Sequence, residues 1–231
     1  MRRLALWVTT SLAMCAGPAF AGDQPVVVEL FTSQGCSSCP PADALLQELG
    51  QEADVIPLAL HVDYWDYIGW KDSFAQPKFT ARQKGYAEAA GRNSVYTPQM
   101  VVGGTHDVVG TRPKDVRSII DAHRGKDSPV TMDVSRKDGM LMITAETETP
   151  VGPAVIYLVR YEPGHAVKIH RGENAGHKID YSHIVTDWDV VGRWAGTGAF
   201  AEDVPIEGEA PAVVMVQEDG YGAVLAAARL R

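Results

Sequence analysis

The sequence predicts an α/β N-terminal part followed by a β-rich, sandwich-like C-terminal part, and three observations carry that expectation. Apolar runs at Val26–Phe31 and Val55–Val62 flank a segment of helical periodicity, as in a parallel strand–helix–strand unit. Further helical segments and a glycine-centred hairpin continue to about residue 127. From about Ser128 the helical period disappears and short strand patterns separated by turn residues take over.

The first strand is interrupted only by Glu29, so it reads as part of a covered sheet. Ala42, Leu45, Leu46 and Leu49 then recur at helical spacing, and Gly50 caps the helix. Pro57 suits the start or edge of the second strand, because proline lacks the N–H that a ladder uses. Asp63–Trp70 is an aromatic loop, and Ser73–Ala90 is helical in composition with breaks expected at Pro77 and Gly85. Gln99–Val102 and Thr105–Val109 flank Gly103 and Gly104, a pair suited to a tight hairpin turn. Val116, Ile119, Ile120 and His123 place one face of a helix over Pro113–His123. The remaining strands fall at Val130–Val134, Met140–Ala145, Ala154–Tyr161, Ile179–Trp188, Val213–Gln217 and Ala223–Leu230. The expected organisation is a leader over residues 1–21, an α/β domain over 22–127 and a β-rich domain over 128–231.

The leader reading rests on Arg2 and Arg3, the mostly apolar Leu4–Met14, and the small residues Ala19 and Ala21 around Phe20. It implies cleavage before Gly22 and a periplasmic or secreted mature protein with no membrane association. The formal net charge is −8, and losing two arginines with the leader makes the mature chain more acidic. That balance excludes a nucleic-acid or anionic-membrane partner read from a basic patch.

Of three cysteines, Cys15 falls in the leader, leaving Cys36 and Cys39 in a chain bound for an oxidising compartment. A disulfide closing a loop of four residues stabilises by only about 1.9 kcal/mol on the loop-entropy expression, against about 4.7 for a loop of a hundred. Its position after a strand and at a helix start suits redox chemistry better than stapling. Helix-end N–H groups favour the Cys36 thiolate at an exposed position, and Cys39, one turn further in, resolves the mixed disulfide. No second ligand pair accompanies the motif, so no metal and no other cofactor is expected.

The segment from Glu29 through Cys36-Ser37-Ser38-Cys39-Pro40-Pro41 to Asp43 resembles the signature of the secreted bacterial family catalogued as domain of unknown function 1223. The likeness continues through His61–Asp72 and Val95–Met100. It implies a thioredoxin-like first half, a β-rich second half and no settled substrate. Within the wider thioredoxin superfamily it further implies a cis Thr97–Pro98 bond facing the cysteines. Thr97 and Pro98 would then contact an extended substrate segment, with Glu29 as the acid beneath the cysteines. From their place after the second strand, Tyr64, Trp65, Tyr67 and Trp70 offer an apolar wall for a substrate, with packing under the loop as the commoner alternative.

The functional expectation is an exported thiol–disulfide oxidoreductase using Cys36, Cys39 and Glu29, acting on a protein or small thiol or disulfide. A redox-inert peptide-binding module and a periplasmic copper or zinc carrier using the two thiolates with His61 are the alternatives. Arg171, Glu173, Asn174, His177, Asp180 and His183 match no metal template and read as a solvated hairpin.

Overall fold

Side-chain alternation along β1 (Val26–Thr32) fixes the layering of the N-terminal half, because all seven of its residues are buried. Val26, Val28 and Leu30 face α1 (Pro40–Leu49), where they meet Leu45, Leu46 and Leu49. Val27 and Phe31 face the other way, towards Phe79 and Tyr86 of α2 (Pro77–Ala89). The computed structural model describes residues 24–230, so the expected leader and Cys15 lie outside the described residues.

β1 pairs in parallel with β2 (Val55–His61) and antiparallel with β3 (Gln99–Val102), which forms a hairpin with β4 (His106–Val109). α3 (Pro113–His123) closes this half by packing Val116 and Ile120 onto the α1 side. Pro57 sits inside β2 rather than at its start. Beyond β2 the ladder is thin: β8 (Lys178–Trp194) meets it in parallel at Ala59 and Ile184. β7 (Ala154–Lys168), β10 (Ala212–Glu218) and β11 (Val224–Leu230) continue the sheet. The result is one eight-stranded mixed sheet, in the order β11-β10-β7-β8-β2-β1-β3-β4, that runs through both halves of the chain.

β5 (Thr131–Lys137), β6 (Met140–Thr147) and β9 (Gly198–Pro205) form a second sheet in the order β5-β6-β9. Leu141 and Ile143 of β6 pack against Ile156, Leu158, Val214 and Val216 of the large sheet, giving the C-terminal half its sandwich-like core.

Two expected breaks take a different form. Pro77 starts α2 instead of dividing it, since the first helical position needs no N–H donor. Gly85 lies inside α2 because the Tyr221 ring rests on it: a Cβ there would sit 2.1 Å from Tyr221 Cζ.

β7 and β8 are both longer than the sequence pattern suggests. Past Glu162 and Ile184 they continue as a paired arm to Lys168 and Lys178, with residues 163–166 of β7 exposed and Tyr181 and Ser182 of β8 buried. The turn of that arm lands on the start of α1.

Candidate functional site

Cys36 and Cys39 are joined by a disulfide in a turn between β1 and α1. The turn is held by Cys36 N–H donating to Ser33 O (3.1 Å) and Cys39 N–H donating to Cys36 O (3.2 Å). Cys39 is the N-cap residue and Pro40 and Pro41 fill the first helical positions, where their missing N–H groups cost nothing. Cys36 therefore precedes the helix by most of a turn, rather than opening it. The expected exposure of Cys36 is also corrected: Cys36 is 1% and Cys39 0% exposed, while Ser37 and Ser38 between them face solvent. Ser38 Oγ lies 3.4 Å from Cys36 Sγ, within hydrogen-bond reach of that sulfur.

The aromatic loop closes around this turn. Gly35 makes the approach possible, since a Cβ there would be 3.0 Å from both Trp65 Cβ and Ile68 Cδ1. Trp65 Nε1 donates to Thr97 Oγ1 at 2.8 Å, and Trp70 Nε1 donates to Gln34 Oε1 at 2.8 Å. The Thr97–Pro98 peptide is cis. Pro98 and Ala42 of α1 both crowd Gly110, at 3.3 and 2.9 Å from the position of its Cβ. Trp65 thus packs on Gly35 of the cysteine turn and is bonded to Thr97, while Pro98 shares the surroundings of Gly110 with Ala42 of α1.

Glu29 is not. As an odd-numbered residue of β1 it points to the α2 side, away from α1 and the cysteines. It accepts from Arg82 Nε at 2.5 Å, Arg82 Nη2 at 2.9 Å and Tyr86 Oη at 2.6 Å. Arg82 also donates to Gln217 of β10 and stacks its guanidinium 3.9 Å from the Trp188 ring centroid of β8. Burial opposes the Arg82 charge, but the Glu29 carboxylate outweighs it and holds the guanidinium above its usual range. The carboxyl expected to serve the thiols is instead half of an ion pair that ties the two halves of the chain together.

A different buried carboxyl occupies the cysteine side. Asp43 lies four residues after Cys39, on the same face of α1, with Asp43 N–H bonded to Cys39 O. It is 4% exposed, and neither carboxyl oxygen has a hydrogen-bond partner among the described residues. Burial pushes its carboxyl up to about 7, against the opposing influence of His61 and Thr32. Thr32 and His61, at the ends of β1 and β2, face the same side, together with Tyr181 of β8. His61 is fully buried; its Nδ1 lies 2.7 Å from Asp72 Oδ2, and its Nε2 is without a partner among the described residues. Burial works against the Asp72 charge, but His61 and the N–H groups of Gln34 and Phe74 hold that carboxyl below the usual range. Gln34 N–H donates to Asp72 at 2.8 Å, so this buried row is bonded directly to the cysteine turn. The spacing of Asp43 from Cys39 was present in the sequence as an i,i+4 pair; the roles of His61 and Asp72 were not.

The polar residues of the C-terminal half divide. Asn174, 5% exposed, donates through Nδ2 to Gln34 O at 2.9 Å and Cys36 O at 3.0 Å. Glu173 Oε2 accepts from Ser37 N–H at 3.3 Å. His183 lies at the opposite end of α1, against Gly50. Part of the expected solvated hairpin is therefore packed onto the cysteine turn, and a cleft of about 660 Å³ opens beside it, lined by Ser37, Pro40, Pro41, Ala44, Glu173 and Lys178 among others. Among the described residues no group of three or more His, Cys, Asp or Glu side chains is placed to hold a metal ion, and no helix is long and apolar enough to cross a membrane.

The family model described as protein of unknown function DUF1223 matches residues 27–218, a span that holds every residue of this site. The chain belongs to that family. This DUF1223 protein is similar to the crystal structure of protein AGR_C_4864 from Agrobacterium tumefaciens, with 33% identity and a TM-score of 0.74 over 89% of this chain and 93% of that one. It is also similar in fold to HBP35 of Porphyromonas gingivalis, at 14% identity and a TM-score of 0.63 over 90% of this chain and 75% of that one. No curated protein matches it.

Proposed function

We propose that this DUF1223 protein is an exported, thioredoxin-like thiol–disulfide oxidoreductase of the periplasm or the secreted fraction, acting on protein or small thiols and disulfides. The observation that carries the reading is the Cys36–Cys39 bridge itself, held in a turn between a central strand and a helix start, with Trp65 packed on the adjoining Gly35 and bonded to Thr97. A bridge that closes so short a loop contributes little as a staple, which leaves exchange as the reason to place it there.

In the oxidising direction a substrate thiolate attacks Cys36 Sγ, and the Cys36–Cys39 bond breaks with its electron pair leaving on Cys39. Asp43, the buried acid on the Cys39 face, gives its proton to that sulfur, in the role assigned from sequence to Glu29. A second substrate thiolate then attacks the substrate sulfur of the mixed disulfide and releases the Cys36 thiolate, which the Ser38 hydroxyl is placed to receive. Two substrate thiols become one disulfide and the protein disulfide becomes a dithiol. In the reducing direction Cys36 attacks, Cys39 resolves and Asp43 accepts the Cys39 proton. No metal or organic cofactor takes part.

The burial of both sulfurs favours a second reading, a redox-inert module whose bridge is permanent and whose cleft binds peptide. Equilibration of the protein with glutathione at stepped ratios of its reduced and oxidised forms, followed by acid quench and mass spectrometry, separates the two. Exchange predicts a dithiol fraction that rises through the potentials of about −180 to −320 mV spanned by cellular glutathione pools. A bridge intact throughout that range contradicts exchange and leaves the binding module.

A further inference from the structure

The backbone of the cysteine turn is bonded to a piece of chain that the exchange reaction does not use. Residues 169–177 form the turn of the β7–β8 arm, and the turn is held largely by its own bonds. Ile169 N–H donates to His177 O (2.9 Å), Gly176 N–H to Ile169 O (2.8 Å) and His177 N–H to Asn174 O (3.2 Å). Gly172 comes against Ile68 and Trp70, each 3.3 Å from the position of a Cβ there. Besides this packing, the turn bonds to the cysteine segment through two side chains. Asn174 fills two backbone acceptors, Gln34 O and Cys36 O, and Glu173 fills one backbone donor, Ser37 N–H.

Those three groups are the ones that an extended polypeptide would use: its N–H groups can replace the Asn174 amide and its C=O can replace the Glu173 carboxylate. A small thiol carries too few such groups to replace both, and in the closed arrangement both cysteines are buried. We propose that residues 169–177 are a gate over the Cys36–Cys39 pair that selects polypeptide partners over small thiols, by occupying the backbone groups that an incoming extended segment takes over. The inference rests on the oxidoreductase reading. It names the substrate class, a cysteine within an extended chain, and it gives Asn174 a specificity-determining position.

The test compares the rate at which the Cys36–Cys39 bond is reduced by glutathione and by a synthetic decapeptide with one cysteine, in wild type, Asn174→Ala and Asn174→Asp. The alanine removes both amide bonds; the aspartate keeps the size and removes the donor. Thermal unfolding of the oxidised proteins confirms that each variant is folded. Losing two hydrogen bonds shifts the closed-to-open balance by about tenfold. Both variants are expected to be reduced by glutathione about tenfold faster than wild type, with the decapeptide rate rising by about threefold or less, so that selectivity falls. Equal glutathione rates in wild type and both variants overturn the gate, as does an equal rise with both reductants. Equal and fast rates leave the oxidoreductase reading standing, whereas equal and immeasurably slow rates remove it too.

Discussion

Two buried carboxyls, one on each face of the central sheet, have opposite circumstances. Glu29 on the α2 face is fully engaged by Arg82 and Tyr86, in a cluster that also reaches Gln217 and Trp188. Asp43 on the α1 face has no hydrogen-bond partner among the described residues, and faces Thr32, His61 and Tyr181 with Asp72 behind His61. The difference teaches that burial alone does not mark a working acid. A carboxyl held by a guanidinium and a phenol is tied into the fold, whereas the one that burial leaves without a hydrogen-bond partner moves towards neutral pH, where a proton is exchanged easily.

The comparison can be broken most forcefully at Arg82. Arg82→Met leaves the Glu29 charge buried without its partner, and should lower stability near the upper end of about 3–5 kcal/mol. Denaturant unfolding of the oxidised protein measures this, and removing the orphaned charge as well, in Glu29→Leu with Arg82→Met, should recover much of the loss. An unchanged midpoint in the single variant would remove the structural assignment of Glu29.

A smaller effect of opposite sign is expected at Asp43. Its carboxyl rises from the ordinary 3.8 to about 7 on folding, so between those values the folded chain holds a proton that the unfolded chain has released. The contribution is fully present below about pH 4 and is lost as pH rises through about 7. Asp43→Asn abolishes that loss, so above pH 8 the variant should be more stable than wild type by at most about 4 kcal/mol. Thermal melts from pH 4 to pH 9 read it directly: parallel curves for variant and wild type would show that Asp43 stays charged.

The same contrast explains what the sequence disclosed. Apolar runs, helical spacing and the Gly103–Gly104 hairpin placed the N-terminal elements because local periodicity encodes them. The Cys36–Cys39 pair lies in a motif that reads locally, and the cis Thr97–Pro98 bond is one that the family resemblance implies. Glu29 was legible as a buried acid, but its partner was not, because Arg82 lies fifty-three residues further along the chain. Asn174 was hidden for a similar reason, since its partners Gln34 and Cys36 lie some 140 residues earlier, with |i−j| of 140 and 138. The single sheet running through both halves depends on β8 meeting β2 at one position, a join too short to leave a sequence pattern. β9 carries mostly exposed residues, so it lacked the alternation that marks a half-buried strand.

The central claim is an asymmetry between two cysteines, and trapping tests it most directly. Cys39→Ser and Cys36→Ser variants would be expressed in an exporting host, quenched with acid and an alkylating reagent, and resolved on non-reducing gels with mass spectrometry of the adducts. The account predicts that Cys39→Ser accumulates reducible mixed disulfides through Cys36 and that Cys36→Ser does not, because in the proposed exchange Cys36 attacks and Cys39 resolves. Equal trapping by the two variants would contradict those roles, and no trapping by either would contradict exchange itself.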